Sequence, residues 1–170
     1  MGESGKGYPR KGKGPMDYMF RGISPIQLDD KGRLMLPKRY RDRLVEGANN
    51  QLICTIETEA RCLLLYPLSE WEMIEQKLEQ LPSFNRAARR IQRLLIGHAT
   101  EVEIDGQGRI LIAQSLRDYA SLEKGVILVG QGKKFEIWDE NQWNQLRMSL
   151  LEESLDTGNE VPIDLTSLSL

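Results

Sequence analysis

One ten-residue stretch occurs twice in this chain, and the repeat limits the fold more than any other feature. The first copy reads Leu28-Asp29-Asp30-Lys31-Gly32-Arg33-Leu34-Met35-Leu36-Pro37; the second reads Ile104-Asp105-Gly106-Gln107-Gly108-Arg109-Ile110-Leu111-Ile112-Ala113. Each is an apolar residue, Asp, a short segment ending in Gly, Arg, and an apolar run. Agreement continues at the same offset to Arg41-Asp42 against Arg117-Asp118. Farther on, Tyr66-Pro67-Leu68-Ser69-Glu70-Trp71 matches Trp138-Asp139-Glu140-Asn141-Gln142-Trp143, at a slightly shorter offset. The distance from Asp29 to Asp105 is too long for a solenoid unit and suits a small supersecondary unit used twice.

Within each copy, Asp and Gly between apolar runs are turn chemistry. Asp bonds its own backbone, and Gly supplies a positive φ. The Arg then opens a strand-like run, so its side chain leaves a rigid base. The turn brings the Asp carboxylate near enough to hold the guanidinium in a bidentate, charge-assisted bond. Two readings stay open from these residues: an ordinary turn closed by an ion pair, or a loop that presents Arg and Lys to an anionic partner.

The rest of the chain supplies elements around those turns. Strands are expected at 23–28, 34–36, 52–56 and 62–66, then again at 100–104, 110–112, 125–129 and 135–138. Pro25 suits an edge or irregular position in the first of them. Short helices are expected at 38–45, with Tyr40, Leu44 and Val45 inward, and at 114–122. A longer helix at 70–81 is announced by Ser69 as N-cap with Glu72 at the capping-box position, and carries Trp71, Ile74, Leu78 and Leu81 at helical spacing. A helix at 86–96, capped by Ser83 or Asn85, sets Arg86, Arg89, Arg90 and Arg93 in a basic stripe, which is read as solvent-facing with phosphate binding as the minority role. The last helix, 140–151, points Trp143, Leu146 and Leu150 inward. Four short strands from one copy bury little alone. Two interleaved copies would close a shared barrel, which gives the duplication a physical reason. The domain reading is a basic extension at 1–18, expected to be disordered and either a natural arm or a tag remnant, repeats at 19–96 and 97–151, and a loose acidic tail at 152–170.

Charge says where an anionic partner would have to sit. The net charge is −2, yet setting aside the basic N-terminal extension and the acidic tail leaves a body with nearly equal numbers of basic and acidic side chains. A nucleic-acid face therefore requires charge sorted onto one side, or a modest patch repeated in an oligomer. No apolar run approaches the roughly 18–20 residues that span a bilayer, the N-terminal extension holds no signal-type apolar region, and the expected compartment is the cytoplasm. Cys54 and Cys62 lack CxxC spacing and read as buried, reduced thiols.

Catalysis and cofactor binding find no support. His98 is the only histidine and has no neighbouring Cys, Ser or carboxylate pattern that would make a triad or metal site. No Walker, Rossmann or HExxH pattern occurs. Asp29 and Asp105 as general acid and base would be a third-choice hydrolase, but each has an Arg at fixed spacing that would hold it ionised. No catalytic residue, metal or cofactor is expected.

Met19-Phe20-Arg21-Gly22, the Leu28–Leu34 stretch with Pro37, the Arg-rich helix ending Leu94-Leu95-Ile96-Gly97, and Asp105-Gly106-Gln107-Gly108-Arg109-Ile110-Leu111-Ile112 together resemble the MraZ family over residues 19–145. The resemblance implies an α+β fold: a tandem swapped-hairpin barrel of the AbrB-like type, built from two βαβ-type units, each capped by a longer helix. It implies ring-shaped homo-oligomers, often octameric. It also implies a nucleoid-associated transcriptional repressor of the bacterial division and cell-wall gene cluster, including its own gene, acting through short direct repeats in double-stranded DNA. By position, Lys31, Gly32 and Arg33 match the DNA-reading loop, with Asp29 orienting Arg33; Asp105, Gly108 and Arg109 match the second motif. Gln107 stands where the first copy has Lys31, and Ala113 where it has Pro37, so the first loop is expected to contribute more to DNA and the second more to subunit packing.

Charge physics is compatible with that implication. Lys31 and Arg33, with Arg21, Arg39 and Arg43 nearby, form a weak phosphate binder, which a ring facing repeated DNA sites would strengthen by avidity. Arg33 is expected on guanine, worth roughly 1–3 kcal/mol of discrimination, and Lys31 on phosphate. The rival reading is the same barrel as a structural or protein-interaction module, with the Asp–Arg pairs only closing turns.

Overall fold

A computed structural model describes residues 19–153. The expectations for 1–18 and for most of the acidic tail lie outside the described residues. The chain is α+β, with antiparallel strands and five helices among the described residues. In chain order the first copy gives β1 (Phe20–Gln27), β2 (Arg33–Met35), α1 (Lys38–Ala48), β3 (Gln51–Ile56), β4 (Leu63–Pro67) and α2 (Leu68–Glu79). α3 (Arg86–Leu95) follows, and the second copy gives β5 (Thr100–Glu103), β6 (Arg109–Leu111), α4 (Gln114–Tyr119), β7 (Gly125–Gly132), β8 (Phe135–Asp139) and α5 (Glu140–Glu152). The repeated unit is thus ββαββα rather than βαβ, because every ladder is antiparallel and needs no crossover helix.

The strands form a six-stranded sheet in the order β1-β7-β8-β4-β3-β5 and a two-stranded ribbon of β2 and β6. Only the hairpins β3–β4 and β7–β8 lie within one copy. The ladders β1–β7, β3–β5, β4–β8 and β2–β6 all join one copy to the other. Pro25 lies in β1, at the sheet edge, where a missing N–H is tolerated.

Exchange of strands makes one core from two copies. Leu34 and Ile110, Leu36 and Ile112, and Tyr40 and Leu116 stand at matching positions and are all buried in a single cluster. Phe20 of β1 stacks at 4.3 Å on Phe135 of β8, and Tyr40 closes on the same ring at 4.9 Å. Burying an aliphatic or aromatic side chain of this size contributes about 1.5–3 kcal/mol, so neither copy would retain its core without the other. A second, smaller cluster holds α2 and α3 on the sheet through Ile53, Leu64, Tyr66, Trp71 and Leu78.

Three local expectations are corrected. α2 starts at Leu68 with Pro67 at its N-cap and no side-chain cap bond; Ser69 Oγ is buried without a partner among the described residues. The fixed φ of Pro67 lets the helix leave β4 directly, before the capping box would act. Val45 is 48% exposed, since α1 buries only the Tyr40–Leu44–Ala48 stripe. Among the described residues, α5 buries none of its side chains, with Leu150 52% exposed. Helical spacing fixes which side chains share a face, not whether anything covers it. The Asn85 cap does form, its Oδ1 accepting from Ala88 N at 3.1 Å.

Candidate nucleic-acid interface

The two repeated loops fold alike. Asp29 Oδ1 accepts the backbone N–H of Lys31 and of Arg33, both at 2.9 Å, and Oδ2 accepts Arg33 Nε at 2.7 Å. Asp105 takes Gln107 N and Arg109 N at 2.9 Å, and Arg109 Nε at 3.0 Å. Gly32 and Gly108 sit at φ +83° and +81°, a left-handed conformation that side chains resist. Their N–H groups donate back to the Asp29 and Asp105 carbonyls at 3.0 Å.

This geometry changes the expected ion pair. The carboxylate grips the guanidinium through Nε alone and spends its other oxygen on the backbone, so the pair is not bidentate. The terminal nitrogens of Arg33 and Arg109 therefore have no partner among the described residues, while their side chains are 29% and 24% exposed. The Asp does two jobs: it sets the turn and it aims the Arg. The backbone bond from Arg33, foremost, with the Arg33 and Lys31 contacts, holds the Asp29 carboxyl below its usual range; the backbone bond from Arg109 leads the same effect at Asp105. An ionised carboxylate with both oxygens engaged is poorly suited to general acid chemistry.

Each loop is braced by the other copy. Gly32 O accepts Ile112 N at 2.9 Å, and Gly108 O accepts Leu36 N at 3.0 Å. Arg117 of α4 lies over Gly32, and Arg41 of α1 lies over Gly108, where its Nη1 donates to Gln107 O at 3.4 Å. The Nε atoms of both roofing arginines are buried without a partner among the described residues. Asp29, Asp30, Lys31 and Arg33 sum to zero charge, as do Asp105 and Arg109, and each roofing arginine adds a guanidinium over its loop. Arg41 and Arg117 were visible in the sequence as an aligned pair, but nothing in it announced that each covers the loop of the opposite copy.

The other basic residues are not all gathered here. Lys31 is exposed on the first loop and Gln107 on the second; Lys38 lines one cleft with Arg41, Asp42, Asp105 and Gly108, so α1 brings both cations and a carboxylate to the second loop. Arg21, Arg39 and Arg43 line a separate cleft of about 270 Å³. Arg39 Nη2 donates to Ser24 Oγ at 2.6 Å and to Tyr40 Oη at 2.9 Å, and Arg43 Nη1 donates to Met19 O at 3.3 Å. Strand β1 puts roughly 20 Å between Arg21 and the Asp29 loop. The α3 arginines Arg86, Arg89, Arg90 and Arg93 lie on a further face, with Arg86, Arg89, Arg90 and Arg93 outward of the buried Ala88; Arg89 donates to Ser83 O at 3.2 Å, and Arg90 approaches Glu59 at 3.9 Å. His98 Nδ1 stands 2.7 Å from Leu94 O at the end of α3. Among the described residues no group of three or more His, Cys, Asp or Glu is placed to hold a metal ion, and no helix is long and apolar enough to cross a membrane.

A family described as "MraZ protein, putative antitoxin-like" matches residues 19–94 and again residues 95–165. The chain belongs to the MraZ family. A relative from Coxiella burnetii, named Transcriptional regulator MraZ, is 57% identical over 152 residues, covering 89% of this chain and the whole of that protein. Relatives of the same name from Halorhodospira halophila and Legionella pneumophila are 51% identical over the same spans. The chain is accordingly a transcriptional regulator by family.

Proposed function

We propose that this chain is a DNA-binding repressor that reads short direct repeats in double-stranded DNA upstream of a division and cell-wall gene cluster that includes its own gene. It acts in the cytoplasm on the nucleoid, as a homo-oligomeric ring, in the octameric form that the family resemblance implies. It uses no cofactor, small-molecule substrate or catalytic residue. The strand exchange between copies supports reading the fold as the tandem swapped-hairpin, AbrB-like barrel, with repeats at 19–96 and 97–151.

The observation that carries the reading is the aimed guanidinium. Asp29 fixes Arg33 through Nε and leaves the two terminal nitrogens without a partner among the described residues, as a paired contact to guanine O6 and N7 requires. Lys31 beside it suits phosphate, which sets register rather than sequence. Arg109 supplies the second head, with Gln107 in place of the lysine, so the first loop contributes more. Arg21 of β1, with Arg39 and Arg43 of α1 in the same cleft, holds flanking phosphates, and the α3 stripe is at most an auxiliary phosphate contact. Asp105 and Gly108 keep the second loop in the same shape as the first.

The test is titration of labelled duplex carrying the upstream direct repeats against scrambled duplex of equal length. The reading requires preference for the repeats and affinity that falls steeply with salt. Equal and weak binding to both duplexes would leave the protein-interaction module as the better account.

A further inference from the structure

The ribbon between the two loops carries a pattern that its charges do not explain. Leu34 and Ile110 point into the core at 0% and 1% exposure. Alternation therefore sends Arg33, Met35, Arg109 and Leu111 to the opposite face. Register pairs Arg33 with Leu111 and Met35 with Arg109. The outer face is thus a two-by-two checkerboard, with arginines on one diagonal and large apolar side chains on the other. Met35 is 45% exposed and Leu111 58% exposed; in the six-stranded sheet only Ile23 of β1, among the large apolar side chains of the described residues, is comparably open at 50%.

We propose that Met35 and Leu111 are specificity residues that contact the 5-methyl groups of thymine in the major groove, and so require thymine beside the bases read by Arg33 and Arg109. This rests on the DNA-reading proposal. A two-stranded ribbon fits the major groove, where the thymine methyl is the one apolar feature on the base edges. Diagonal neighbours in such a ribbon lie about 7–8 Å apart, close to two base-pair steps of about 3.4 Å each. Each apolar side chain then falls next to a base contacted by an arginine. The flanking cations fit a polyanion and would oppose a second copy of this same face. Charge complementarity thus selects DNA as the occupant over self-association.

The experiment compares repeat duplexes containing thymine with duplexes in which deoxyuridine replaces it, removing only the methyl groups. Full-length wild type and the Met35→Ser, Leu111→Ser and double variants are titrated on both, with oligomer mass measured in parallel. Wild type is expected to lose roughly fourfold in affinity for each contacted methyl removed. The double variant binds both duplexes equally, at the weaker affinity, with an unchanged salt slope because no cation was removed. The inference is overturned if wild type holds both duplexes equally while still preferring repeats to scrambled DNA, which leaves the parent reading intact. It is also overturned if the variants change oligomer mass, which assigns this face to a neighbouring copy. Absence of any preference for repeats over scrambled DNA defeats the parent reading and this inference together.

Discussion

A methyl group added to Gly32 would stand 2.7 Å from the guanidinium carbon of Arg117, a residue on the short helix of the other copy. Arg41 covers Gly108 in the mirrored arrangement. The loops that aim Arg33 and Arg109 are therefore not independent turns: each is shaped by its own Asp and Gly and roofed by a cation from the opposite copy.

Gly32→Ala and Gly108→Ala should each destabilise the fold by about 1–2 kcal/mol, the cost of forcing a side chain into the left-handed region. At Gly32 only the guanidinium end of Arg117 is met and can swing aside, so φ strain sets the magnitude; at Gly108 the Cδ of Arg41 is met as well, which puts that variant at the upper end of the range. Thermal unfolding would report each as a drop of a few degrees. A larger effect on DNA affinity than on stability would reveal that the displaced Arg117 or Arg41 matters to the interface.

Acid should loosen both loops. Asp29 and Asp105 have folded values below the ordinary 3.8, so their contribution is present above the unfolded value and is lost as pH falls through the lowered folded value. Wild type is expected to lose thermal stability below about pH 4 for this reason, with little change from there to neutrality. Asp29→Asn with Asp105→Asn should be less stable at neutral pH and show a flatter acid profile. An unaltered acid slope in the double variant would mean that other carboxylates dominate.

Burial pushes the Cys54 thiol up to about 12, and burial with the adjacent Glu136 carboxylate raises Cys62 as well. Both thiols are free and buried. Iodoacetamide at neutral pH should leave the native chain nearly unlabelled and modify both cysteines after unfolding, as read by intact mass. Rapid native labelling would indicate that β3 or the start of β4 opens readily.

Phe20 is 2% exposed and packs on Phe135 across the copy boundary. Phe20→Ala should cost about 3–5 kcal/mol, read as a lower denaturant midpoint with an unchanged slope. A loss below about 1 kcal/mol, far under the usual range for a buried aromatic, would show that β1 adds little to the shared core.

Much of this was legible in the chain because it is local chemistry. Asp29, Gly32 and Arg33 encode their turn within a single short stretch, Asn85 encodes its cap within one helical turn, and Pro25 encodes an edge by lacking an N–H. What escaped was set at long range. Ser69 had the spacing of a cap, but Pro67 had already started α2. Helical spacing puts Val45 and Leu150 inward, yet they are 48% and 52% exposed, because spacing fixes a shared face while burial depends on tertiary packing. Arg41 and Arg117 were seen as aligned positions, while their exchange between loops depends on β2 pairing with β6. Met35 and Leu111 read as strand interior until register placed them beside the arginines on the outer face.

The most direct test is Arg33→Ala beside wild type, titrated with repeat and scrambled duplexes across a salt series, with oligomer mass and thermal midpoint measured on the same samples. The account predicts an intact oligomer, loss of the preference for repeats, and residual binding that still weakens with salt through the remaining cations. Undiminished preference for the repeats in Arg33→Ala would contradict it, and would move the reading head away from the Asp29 loop.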